Sequence, residues 1–143
     1  MSDSWGAKAA ARLKEETARK ALQQAADLRD RELIKHKAPS LWQELKDKIQ
    51  EKANDLNSHY GEAYLVTQSI DADSLLVQSP KRQVELRFDV VTPEITFPTI
   101  ESVHGLTFRA GTDAVEFQTV GAAGAVISTN RAAEMILNYV IQG

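Results

Sequence analysis

The chain has 143 residues, of which 43% are hydrophobic and 26% are charged, and its formal net charge is −3 at pH 7. This composition is typical of one soluble globular domain and argues against a collagen-like, disordered or membrane-spanning protein. The lack of cysteine excludes disulfides, thiol nucleophiles, iron–sulfur clusters and cysteine-bearing zinc sites. Because the first residues also lack a secretory pattern, we expect a cytoplasmic protein.

The charges are distributed unevenly along the chain. Residues 1–37 hold nine Lys and Arg against six Asp and Glu, a net charge of +3, and residues 38–143 hold eight against fourteen, a net charge of −6. This asymmetry has two interpretations: the basic segment binds an acidic partner, or it docks on the acidic body of its own chain or of a sister chain. We favour the second interpretation.

The segment 7–37 is rich in Ala, Leu, Lys, Arg, Glu and Gln and contains no Gly or Pro, so it is predicted to be helical. Its apolar stripe is thin and consists mostly of methyl-sized side chains: Ala18, Ala21, Leu22, Ala25 and Leu28. A helix that buries so little needs a partner surface. We therefore treat residues 1–38 as a helical extension of a domain formed by residues 39–143. The candidate partner-contact residues in it are Arg12, Arg19, Lys20, Leu22 and Leu28.

A second helix is expected after Pro39, because proline has no N–H to donate and restricts Ala38 before it to extended backbone. Ser40 is the predicted N-cap of this helix, with Gln43 at the spacing of a capping box. The helix should end near Tyr60. Its apolar face would comprise Leu41, Trp42, Leu45, Ile49, Ala53 and Leu56.

After Gly61, which is expected to take a left-handed conformation, the hydrophobic period changes to two and predicts an antiparallel meander of five to six strands. A first strand over 63–70 would direct Tyr64, Val66 and Ile70 to the core. The parity of apolar residues changes between Phe97 and Leu106, which predicts a bulge, a crossover or a loop there. The turns predict the cross-strand pairs Val77 with Val84, Leu75 with Leu86, Val90 with Phe97, Phe108 with Phe117, Ala110 with Val115, and Arg109 with Glu116.

A third helix is predicted over residues 131–141, with Asn130 or Thr129 as its N-cap. Two amphipathic helices are then available to cover the apolar face of the sheet. The predicted fold is a two-layer α+β domain, in which an antiparallel meander is covered on one face by helices and preceded by a long Ala-rich helix.

Few residues carry recognisable chemistry. His36 and His59 fall near the C-terminal ends of the predicted helices, where a partly cationic ring favours the helix dipole. His104 lies in a loop, where a base could act, but no catalytic residue is assigned. Asp71 and Asp73 resemble the start of a calcium loop that lacks its Gly and final Glu, so a turn closed by an Asp side chain is the better interpretation. No metal or cofactor is expected.

Two functions from different classes follow from these patterns. The first is a nonenzymatic interaction domain whose N-terminal helix forms a homodimer or binds another protein, with neither a membrane nor a nucleic acid as partner. The alternative is a carrier or enzyme for a small apolar ligand, with a pocket between the sheet and the helices. Such a pocket would be lined by Phe88, Phe97, Phe108 and Phe117.

Overall fold

The structure is a computed structural model that describes residues 4–111, 114–121 and 124–142. Its elements are helix α1 (Trp5–Tyr60), strands β1 (Val66–Asp71), β2 (Ser74–Gln78), β3 (Gln83–Asp89), β4 (Glu94–Ile100), β5 (Val103–Ala110), β6 (Val115–Val120) and β7 (Val126–Ile127), and helix α2 (Thr129–Gln142). The contacts within the chain divide it into two compact units, Met1–Glu32 and Leu33–Gly143. The second unit contains the whole sheet and both of the predicted covering helices.

The strands form one antiparallel sheet in the order of the sequence, from β1 to β7, and each pairs only with its neighbours along the chain. The predicted α+β meander is therefore confirmed, although the described residues form seven strands in place of the predicted five to six. Its last strand, β7, is only two residues long and pairs with Phe117 and Gln118 of β6.

The hydrophobic core lies on one face of this sheet. Trp42 of α1 stacks on Phe88 of β3, with 5.7 Å between the ring centroids, and its indole N–H donates to the carbonyl oxygen of Ala72 at 2.9 Å. The two helices are joined by an ion pair of 3.2 Å between Lys52 and Glu134. The covering helices contribute these buried residues: Ala38, Trp42, Leu45, Ile49 and Ala53 from α1, and Ala132, Ala133, Met135, Ile136, Leu137 and Val140 from α2.

The predicted break at Pro39 is wrong, because α1 continues through this residue without interruption. Pro39 is exposed, whereas Ala38 before it is 0% exposed and is packed in the core. Leu33 and Ile34, one turn earlier, also pack against the core. Burial on both sides of the proline therefore holds the backbone helical and outweighs the missing hydrogen bond. As a result Ser40 is not an N-cap, and His36 does not lie at a helix end.

Most of the predicted register is confirmed. Leu75 and Val77 of β2 lie opposite Leu86 and Val84, and the three predicted pairs between β5 and β6 are also present. The predicted pair of Val90 with Phe97 is wrong, because β3 ends at Asp89 and Phe88 lies opposite Ile95. The Asp89 carboxylate accepts the N–H groups of Val91 and Thr92 and so closes the turn earlier than Pro93 would.

The predicted orientation of the first strand is wrong for Val66 and Ile70, whereas Tyr64 is partly buried and packs against the core as predicted. Val66 and Ile70 are 50% and 54% exposed, and the core position is taken by Leu65. The side chain of Asn57 near the end of α1 determines this parity: its amide oxygen accepts the N–H groups of Tyr64 and Leu65, and its NH2 group donates to the Leu65 carbonyl oxygen. These bonds fix the chain before β1 begins.

The parity change between Phe97 and Leu106 is caused by a bulge, which was one of the three predicted alternatives. The pairing of β4 with β5 shifts between Thr96 and Ile100. The two strands then join through Glu101 and Ser102, whose φ angles of 50° and 69° are those of a tight hairpin turn.

Three predictions about the ends of helices and the position of a turn are correct or nearly correct. Gly61 follows α1 with a φ of 95°. The Asp71 carboxylate accepts the N–H of Asp73 at 2.8 Å, which confirms the expected turn. Helix α2 begins two residues earlier than predicted, because the Ser128 hydroxyl accepts the N–H of Arg131 and acts as the N-cap in place of Thr129 or Asn130.

We predict that Pro39→Ala raises the free energy of unfolding by about 1–3 kcal/mol, because it restores a helical hydrogen bond and removes a steric conflict. Ser40→Ala is the matched control and should change that free energy by less than about 0.5 kcal/mol. Urea unfolding followed by circular dichroism measures both. A loss of about 1 kcal/mol in Ser40→Ala would indicate a capped helix start and contradict the continuous helix.

Gly105→Ala should lower the free energy of unfolding by about 2–3 kcal/mol, because a Cβ there would lie 2.6 Å from the carbonyl oxygen of Ile95 in the neighbouring strand. At Gly61 a Cβ would meet no atom within 4 Å, so Gly61→Ala should cost only about 1 kcal/mol for its left-handed backbone. The same unfolding assay ranks the two variants, and equal losses would contradict the close approach of β4 to β5.

Candidate interaction surface

The histidines do not form a catalytic arrangement in the described part of the chain. His104 is exposed, and its Nδ1 lies 2.9 Å from the hydroxyl oxygen of Thr99, without a carboxylate among its hydrogen-bond partners there. His59 lies at the end of α1, where its ring nitrogen contacts the Asp55 carbonyl oxygen at 2.9 Å, as expected for a residue near a helix C-terminus. Among the described residues, no group of three or more His, Asp or Glu could hold a metal ion.

Shallow grooves lie on the surface of the second unit. One of about 540 Å3 runs beside the β3–β4 turn, and its lining includes Asp73, Arg87, Asp89 and Glu94. Another of about 300 Å3 lies between Leu41 of α1 and strands β6 and β7. Both grooves are open to solvent, and neither brings a nucleophile, a base and an oxyanion donor together.

The four phenylalanines that would line a ligand pocket are all buried in the core. Phe108 packs edge-on against Phe88 with 6.1 Å between centroids and at a tilt against Phe117 with 5.5 Å. Aromatic rings at these separations are in contact with one another. Their positions therefore match those of ordinary core side chains and lend no support to a ligand pocket.

The surface that stands out is residues 5–32 of α1, named here the N-terminal segment. The Ser4 hydroxyl accepts the N–H of Ala7 at 3.1 Å and caps the segment. Only Ala9 and Asp30 are partly buried, and every other residue in the segment is exposed. Its large apolar side chains are also in water: Trp5 is 85% exposed, Leu13 63%, Leu22 73% and Leu28 60%.

The polar contacts of the N-terminal segment are local. Thr17 donates to the Leu13 carbonyl oxygen, and Lys20 lies 3.6 Å from Glu16. Within the described ranges, the ten other charged side chains of the segment form no ion pair within 4.0 Å. These ten are Lys8, Arg12, Lys14, Glu15, Arg19, Asp27, Arg29, Asp30, Arg31 and Glu32.

The five predicted contact residues all lie exposed on this segment, but they do not share one face. Leu22 and Leu28 lie at the two edges of the predicted stripe, on either side of Ala18, Ala21 and Ala25. The three basic candidates lie elsewhere around the helix. Arg19 and Leu28, for example, are nine residues apart and therefore project in opposite directions at about 100° per residue.

A longer pattern runs through the segment than the predicted stripe. Alternating steps of three and four residues, the spacing of a coiled-coil seam, connect Ala7, Ala11, Lys14, Ala18, Ala21, Ala25, Leu28 and Glu32. The seam is hard to recognise in the sequence because charged residues, Lys14 and Glu32, occupy two of its positions. The sequence feature that reveals it is the strict seven-residue repeat.

No helix in the described residues is long and apolar enough to span a membrane. Comparisons of the chain with protein-family models, with curated proteins and with solved structures found no significant match. The candidate surface therefore depends on the residues and their geometry alone.

The double variant Leu22→Ala/Leu28→Ala should unfold, in dilute solution, within about 0.5 kcal/mol of the original chain, because both side chains are already in water. Leu45→Ala is the contrasting variant: this leucine is 0% exposed, and its truncation should cost about 2–5 kcal/mol. Thermal unfolding at low protein concentration measures both. Comparable losses would contradict the exposure of the N-terminal segment.

Proposed function

We propose that this protein is a nonenzymatic protein–protein interaction or oligomerisation domain, and that the N-terminal segment is its contact surface. The observation that carries the proposal is the 28-residue helical segment, in which Leu13, Leu22 and Leu28 are each at least 60% exposed. The folded unit Leu33–Gly143 supplies a core of its own. The segment thus has no evident role in maintaining that core.

The marginal stability of an isolated helix supports the proposal that this segment binds a partner. Alanine and long charged side chains favour the helix, but propensity alone leaves a helix in water marginal. Most helices in proteins gain their stability from packing an apolar face. An exposed face with leucines beside alanines therefore supports association with another protein surface.

The other parts of the proposal rest on the sequence. A cytoplasmic location and a homodimeric or heteromeric state are proposed with the interaction function. The burial of the four candidate phenylalanines favours a closed core over the pocket that a ligand carrier would need.

Hydrogen exchange on the full chain tests the proposal. In dilute monomeric protein, we expect the amides of residues 9–32 to exchange nearly as fast as in an unfolded chain, because the segment lacks tertiary packing. Amides of residues 41–56 serve as the internal control and should stay protected, because the core buries one side of that part of α1. Association should slow exchange in residues 9–32 alone.

The contrary result is strong protection of residues 9–32 in protein that light scattering shows to be monomeric. The segment would then be stable without a partner, and the reason for proposing an interaction surface would disappear.

A further inference from the structure

We propose that the partner of the N-terminal segment is a second copy of this chain, and that the two segments pair antiparallel along the alanine seam. This inference rests on the proposed function and names its partner and geometry. Two identical seams can be aligned parallel or antiparallel, and the two alignments bring different residues into contact.

The charged seam positions distinguish the two directions. In a parallel, in-register pair, Lys14 meets Lys14 and Glu32 meets Glu32, so both contacts are repulsive. In an antiparallel pair, the two kinds of seam position, which alternate along each helix, face each other across the interface. Lys14 then lies opposite the partner's Glu32. Two-fold symmetry forms this attractive pair twice, once at each end of the interface. Neither side chain has an ion-pair partner among the described residues of its own chain.

The same alignment matches side-chain sizes along the seam. Leu28 lies opposite the partner's Ala18, and Ala21 lies opposite the partner's Ala25. These inner layers thus combine an alanine with a leucine or with another alanine, so the two backbones can approach closely between the Lys14–Glu32 pairs. Leu28, which is 60% exposed in the single chain, becomes covered.

The positions that flank the seam agree with this direction. On one side, Glu15 lies near the partner's Arg29, and Leu22 lies beside the partner's Leu22 close to the two-fold axis. On the other side, Thr17 lies near the partner's Arg31. The most exposed leucine of the segment would therefore be buried against its own copy. The Glu15–Arg29 contact would join opposite charges, and the Thr17–Arg31 contact would place no like charges together.

Cysteine cross-linking of the full chain measures the direction, since the native sequence contains no cysteine. Leu22→Cys should cross-link efficiently with bis-maleimidoethane, because the two copies of this position meet. Ala18→Cys is the control and should not, since its two copies would lie ten residues apart, about 15 Å along the axis. Light scattering first establishes that each variant retains the mass of the original chain.

A charge exchange tests the seam pair independently. Lys14→Glu should raise the dimer dissociation constant about fivefold to tenfold, because it places a second carboxylate opposite the partner's Glu32. The double variant Lys14→Glu/Glu32→Lys should restore the original constant. Arg19→Glu carries the same change of charge away from the seam and should leave the constant unchanged.

The outcomes separate this inference from the proposed function. Cross-linking at Leu22 with restoration by the double variant supports the antiparallel dimer. Cross-linking at Ala18, or failure of the double variant to restore association, overturns it. A monomeric mass at every concentration also overturns it, but leaves the proposed function to its own exchange test.

Discussion

The apolar face of the sheet must be kept from water, and the rest of the second unit is arranged to meet this constraint. Strands β2 to β6 all direct hydrophobic side chains to one side, and a meander cannot cover that side with its own strands. Helices α1 and α2 provide the cover, and the Lys52–Glu134 ion pair links them beside the core. Because Trp42 both stacks on Phe88 and bonds the β1–β2 turn, it also fixes the position of α1 along the strands.

The same constraint explains why α1 does not break. Proline in a helix interior costs about 3 kcal/mol relative to alanine. Burial of Leu33, Ile34 and Ala38 before the proline, together with Trp42 after it, keeps one continuous helical face against the sheet. Local sequence rules describe the backbone preference correctly, but the preference is overruled by the burial of side chains that a local analysis does not count.

The sequence predicted the fold class and most strand pairs because these features are encoded over short distances. A period of two and a turn between two strands specify a hairpin, as Val77 with Val84 and Phe108 with Phe117 demonstrate. The errors have nonlocal causes or depend on a single side chain. Asn57 on α1 sets the parity of β1 from eight residues away, and Asp89 closes a turn that Pro93 was expected to control.

The candidate surface was only partly predictable. Leu22 and Leu28 were identified because an exposed leucine on a thin stripe is visible in the sequence itself. The basic candidates were chosen by charge alone, and the helix places Arg19 on the opposite side from Leu28. The full seam requires the structure, because only a helix that continues unbroken from Trp5 and is exposed over residues 10–29 makes its seven-residue repeat meaningful.

The sequential order of the strands has a consequence for how the chain acquires its fold. Every strand pairs with its neighbour along the chain, so the sheet can assemble by closing short loops, and such local topologies fold fast. Helix α2 is the exception, since it follows all seven strands and returns to contact β2, β3 and β4. Until it docks, the central strands present bare hydrophobic side chains to other chains. The docking of helix α2 is therefore the step that removes the last of this apolar surface from water.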